Sequence, residues 1–114
     1  MGPTLNKEFS LDLTGHRDKF LECMDALFER YGVKSSAVAP FKMSPEEADM
    51  LDGIRGRVQT YGDVIRVTVR DSMLLEARFG TLAAQSSVRD PLKNTAENLY
   101  QAMSSMRDKL FGRG

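Results

Sequence analysis

Residues 63–80 read DVIRVTVRDSMLLEARFG, and their conformation decides the fold class. Taken as strands, Ile65, Val67 and Val69 face one way while Arg66, Thr68 and Arg70 face the other. Beyond Asp71-Ser72, Met73, Leu75, Ala77 and Phe79 oppose Leu74, Glu76 and Arg78. This is alternation of period two through two segments, and the first is dominated by β-branched residues, whose side chains suit an extended backbone. The weak point is the turn, because Asp-Ser is not a favoured two-residue hairpin loop.

The same stretch also admits a helix. Ile65, Val69, Ser72, Leu75, Phe79 and Leu82 then form a heptad-like seam, but Glu76 falls among the apolar positions, and Val67 and Leu74 point away from them. The hairpin separates the faces better and is the preferred reading. The alternative is an all-α bundle with one long helix over 63–88.

Outward from this stretch, three helices are expected. Before the first, Phe9, Leu11 and Leu13 alternate with Ser10, Asp12 and Thr14, which suggests a short half-buried strand. Over 16–31, Phe20, Met24, Leu27, Phe28 and Tyr31 recur at helical spacing. Thr14 or Gly15 is expected to cap the start, and Gly32 to end the helix in the left-handed conformation. Residues 33–43 form a connection that Val33, Val38 and Phe41 are expected to hold against the core.

The second helix, over 44–61, has the clearest start: Ser44 as N-cap, Pro45 in the first turn, Glu47 completing a capping box. Met50, Leu51, Ile54, Val58 and Tyr61 form its stripe. Gly53 and Gly56 weaken it, or serve a close backbone approach. Asp90 caps the last helix, Pro91 starts it, and Leu92, Ala96, Leu99, Met103, Met106 and Leu110 run along one side to about residue 111. The expected architecture is therefore α+β. Three amphipathic helices pack on one face of a small antiparallel sheet, in the order β-α-α-β-β-α.

At 114 residues, with 41% apolar and 28% charged side chains, the chain fits one domain able to bury a core without staples. Residues 1–7 are expected to be a loose terminus. Basic and acidic residues number 16 each, so the charge is balanced. That disfavours gripping nucleic acid phosphates or an anionic membrane surface. No apolar run is long enough to span a membrane, and the first ten residues lack the apolar centre of a secretion signal. A single cysteine, Cys23, precludes an internal disulfide and suits a reducing compartment. A soluble, cytoplasmic protein is expected.

The residue inventory is poor in catalytic chemistry. His16 is the sole histidine, and on one helix it stands seven residues from Cys23, about 10 Å along the axis, too far for a dyad. Clustered zinc ligands are missing, and the acidic group Glu46, Glu47, Asp49 and Asp52 lacks calcium-loop spacing. Gly53-Ile54-Arg55-Gly56 matches no phosphate-binding loop. No enzyme activity and no cofactor are expected.

Two enrichments remain. On the hairpin reading, Arg66, Arg70 and Arg78 share an outward face suited to an acidic partner or a phosphate. Met103, Met106, Leu110 and Phe111 gather on the last helix and suit an adaptable contact if the fold leaves them open. The expected function is a non-enzymatic protein-interaction module, an adaptor, chaperone or inhibitor that occupies a partner surface or forms a homodimer. The alternatives are a structural subunit of a larger helical assembly, and a nucleic-acid or phosphate-ligand binder using the arginine face.

Overall fold

A computed structural model describes residues 3–110. Strand β1 (Glu8–Asp12) is followed by helices α1 (Arg17–Tyr31) and α2 (Pro45–Tyr61), strand β2 (Val64–Thr68), and helices α3 (Val69–Gln85) and α4 (Pro91–Leu110). The two strands pair antiparallel, with Ser10 opposite Arg66 and Leu11 opposite Ile65. The fold class is α+β, with a small antiparallel sheet as expected, and the order of elements is corrected to β-α-α-β-α-α.

The stretch 63–80 is divided between the two readings. Val64–Thr68 is a strand, but its partner is β1 and not residues 73–79. From Val69 onward the chain is helical, and the seam Val69, Ser72, Leu75, Phe79 and Leu82 is buried as the helical alternative places it. The switch occurs without a loop. Thr68 closes the strand and caps α3: its Oγ1 accepts from the Asp71 N–H (3.0 Å), while the Asp71 carboxylate accepts from the Thr68 N–H (3.2 Å). This reciprocal capping box satisfies two end groups that otherwise lack partners. The long helix over 63–88 fails for the same reason, since the β-branched run is held extended by β1.

Glu76 is the residue that makes the helix look wrong in sequence. It is 4% exposed, and its carboxylate accepts from the Arg107 guanidinium of α4 and from the Ser72 hydroxyl (3.2 Å). A paired, hydrogen-bonded carboxylate is tolerated in a core where a lone one is not. Its place on the apolar side of α3 is therefore consistent with a helix.

The core joins Phe9, Leu11 and Leu13 from the first strand and its extension, Ile65 and Val67 from β2, and the inner faces of all four helices. Phe20 and Phe79 meet edge to face with centroids 5.5 Å apart, fixing α1 against α3. All six residues of the α4 stripe are buried or packed against the core. Where a loose terminus is expected over 1–7, Pro3–Asn6 form a 3₁₀ turn, Leu5 packs against the core, and the Lys7 carbonyl accepts from the Val69 N–H (2.9 Å).

Several local expectations are revised. The N-cap of α1 is His16, without a side-chain bond, while Gly15 takes a positive φ of 82° in the turn before it. Gly32 is extended and not left-handed. It is required instead by closeness, since a Cβ there would collide with the Phe28 carbonyl oxygen. Ser44 caps α2 as expected (3.1 Å from the Glu47 N–H), but the Glu47 carboxylate turns to Arg78 and does not reach back. Gly53 and Gly56 serve no close approach, because a Cβ at either meets nothing. In the connection, Met43 is the buried residue, while Val33, Val38 and Phe41 remain exposed.

Candidate interaction surface

The three arginines of the expected outward face do not share one. Arg66 lies on the outer side of β2, with a long contact to Glu8 (3.7 Å). Arg70 is in the first turn of α3, exposed beside a groove lined by Glu46, Met50 and Met73. Arg78, two turns further on, is fully engaged. It forks onto the Glu47 carboxylate and donates to the Phe41 carbonyl (2.6 Å), tying α3 to the start of α2 and to the connection before it. A shared face requires period two through residue 78, and the helix that begins at Val69 removes it.

The methionine surface is likewise occupied. Met103 is buried, and Met106 and Leu110 pack half-buried against the core. Phe111 lies outside the described residues.

Among the exposed apolar residues, which include Val38, Met73 and Val88, two stand together where α2 turns into β2. Tyr61 is 73% exposed and Val64 51%, and together with Arg57, Ile65 and Arg66 they line one shallow concavity. The sequence assigns Tyr61 to the buried stripe of α2 because it stands three positions after Val58. The helix has by then run past the core, and Gly62, at φ 87°, turns the chain away beneath it. Val64 is apolar but falls on the even, outward side of β2, opposite Asp12. An apolar residue on an even strand position was the available signal. The rim is held in place: Arg57 donates to the Arg66 carbonyl (2.9 Å) and stands 3.6 Å from Asp71.

That bond also reveals the phase of the sheet. The Leu13 N–H donates to the Asp63 carbonyl and the Val69 N–H to the Lys7 carbonyl, so the odd-numbered residues form the hydrogen-bonded pairs. The N–H and C=O groups of residues 64, 66 and 68 therefore point away from β1, and those of 8, 10 and 12 away from β2. On the β2 edge, Arg57 takes the Arg66 carbonyl and Asp71 the Thr68 N–H. On the β1 edge, among the described residues, nothing hydrogen-bonds the outward backbone groups of Glu8, Ser10 and Asp12. Their side chains lie on the exposed face of the sheet. The Asp12 carboxyl is held below its usual pKa by the hydroxyl and then the N–H of Thr14.

Reactive groups do not converge. Cys23 is buried, and desolvation pushes its thiol up to about 12, far from a thiolate at neutral pH. Burial also raises the Tyr31 phenol. His16 is exposed and lines a small recess between α1 and α4 with Lys19, Thr95, Asn98, Leu99 and Ala102; no carboxylate is among these. Among the described residues no three histidine, cysteine or carboxylate side chains are grouped to hold a metal, and no helix is long and apolar enough to cross a membrane. Comparison with protein-family models, with curated proteins and with solved structures finds no match to this chain.

Proposed function

We propose that this chain is a non-enzymatic protein-interaction module whose contact surface is centred on Tyr61 and Val64. The observation that carries the proposal is the pairing of these two large exposed side chains in one concavity, rimmed by Arg57 and Arg66. Exposed apolar residues scattered singly need no explanation, whereas an apolar centre with a polar rim is the anatomy of a contact surface. Tyrosine and arginine are also the side chains that most often dominate binding energy when desolvated. The partner is a protein with an apolar anchor ringed by carboxylates. The phosphate-binding alternative has less support, because Arg78 is spent on Glu47 and Arg66 and Arg70 stand on different elements.

The test replaces Tyr61 with a photo-crosslinking phenylalanine analogue in the full chain, with and without Val64→Asp. One dominant adduct, lost on Val64→Asp while the far-ultraviolet circular dichroism is unchanged, supports the proposal. Adducts spread over many proteins, or unaffected by Val64→Asp, reject it. An adduct to a second copy of the chain assigns the surface to self-association.

A further inference from the structure

We propose that the outer edge of β1 receives an extended basic peptide segment as a third strand, with lysine or arginine opposite Glu8 and Asp12. This goes beyond the Tyr61 surface and rests on the preceding reading only in treating the chain as an interaction module. Two observations carry it, the free backbone edge of β1 and the carboxylates along it. The backbone groups of Glu8, Ser10 and Asp12 point outward and lack partners among the described residues, whereas the corresponding groups of β2 are partly occupied by Arg57 and Asp71. A row of unpaired N–H and C=O groups is a template for an added strand.

Charge selects the occupant. Glu8, Ser10 and Asp12 project on the same exposed face, so an added strand meets a carboxylate at each end of the edge. Arg66 reaches Glu8 only at 3.7 Å, across the sheet, and among the described residues no cation pairs with Asp12. A second copy of the chain is a poor partner. Antiparallel pairing about Ser10 sets each Glu8 opposite the other copy's Asp12, and parallel pairing sets like carboxylates side by side. Like charges directly opposite destabilise a strand pair, and opposite charges stabilise it. A segment with basic residues four positions apart and apolar ones between them satisfies both the edge and the charge. Its basic side chains meet Glu8 and Asp12, and its apolar ones turn to the side of Phe9 and Leu11.

The probe is a fluorescent peptide with the central sequence Lys-Val-Thr-Val-Lys, compared by anisotropy with Glu-Val-Thr-Val-Glu. The basic peptide is expected to bind at least about tenfold more tightly, and Glu8→Lys to weaken it by about threefold or more. Ser10→Pro removes one outward N–H without touching a bond to β2, because proline is tolerated on an edge, and is expected to lower affinity by about tenfold. Equal binding of the two peptides, no binding at about 1 mM, or full binding by a folded Ser10→Pro variant overturns the proposal. If that variant does not fold, amide exchange in the unmodified protein decides. The Ser10 N–H is expected to exchange freely alone and slow on addition of the basic peptide, while the Leu11 N–H is slow throughout. An unchanged Ser10 rate overturns the proposal. The Tyr61 adduct is independent of every one of these outcomes, so each surface stands or falls separately.

Discussion

Replacing Arg107 with methionine isolates the contact that lets Glu76 sit on the buried side of α3. The substitution keeps the length and apolar stem of the side chain but removes the guanidinium, leaving the Glu76 carboxylate, 4% exposed, with Ser72 as its remaining donor. Breaking a buried ion pair from one side costs about 3–5 kcal/mol. The Arg107 side chain is 24% exposed, and the Ser72 bond survives, so the cost is expected to fall just below that range, at about 2–3 kcal/mol. For a domain of this size that corresponds to a fall of roughly 8–12 °C in melting temperature. The assay is thermal and urea unfolding followed by far-ultraviolet circular dichroism, with Glu76→Leu and the double variant completing a cycle. The double variant, with an apolar pair in place of the ions, is expected to recover most of the loss, because such replacements are often neutral or stabilising. A loss below about 0.5 kcal/mol in Arg107→Met, or a double variant no better than the single, refutes the reasoning: the carboxylate is then not held by α4 in solution.

Three further outcomes follow from the same geometry. Gly53→Ala and Gly56→Ala are each expected to stabilise the protein by about 0.5–1 kcal/mol, since an added Cβ meets nothing and both sit inside α2; a lower urea midpoint for either variant counts against that placement. Arg78→Lys is expected to cost about 1–2 kcal/mol, because an ammonium cannot reproduce the fork on Glu47 together with the bond to the Phe41 carbonyl; unfolding indistinguishable from the unsubstituted protein contradicts it. Asp90 has its carboxyl held below the usual 3.8 by the Leu92 N–H and then by Arg30, so its stabilisation is present above about pH 4 and lost as pH falls through the lowered value. Asp90→Ala should therefore melt below the unsubstituted protein at neutral pH and converge with it on acidification; a deficit independent of pH removes the ionised carboxylate as its cause.

The parts of the fold that the sequence makes plain are those decided by neighbours along the chain. Ser44-Pro45 and Asp90-Pro91 mark helix starts through groups one to three residues away, and the stripes of α1 and α4 repeat at one period over several turns. What escapes is decided across space. β1 and β2 pair between residues roughly 50–60 positions apart, and no local pattern announces which strand Val64–Thr68 will choose. Glu76 looks misplaced in a helical seam because its partner, Arg107, is on another helix. One local signal was present: Thr68 followed by Asp71 is a capping-box spacing just ahead of an apolar seam, and it marks where strand gives way to helix. For the candidate surface, Arg66 is located by alternation, whereas Tyr61 is misplaced because periodicity does not say where a helix outruns the core that covers it.

The pairing of β1 with β2 also orders the assembly of the chain. α3 and α4 are joined by a short connection, so their contact closes a small loop, while pairing of the strands closes a span that contains both α1 and α2. The entropy of closing that span must be overcome before any ladder bond is gained, so contacts of low sequence separation are expected to form ahead of the sheet. Until then the apolar sides of both strands stand open to water, and the period in which the newly made chain is most prone to stick to its neighbours ends when Leu11 reaches Ile65.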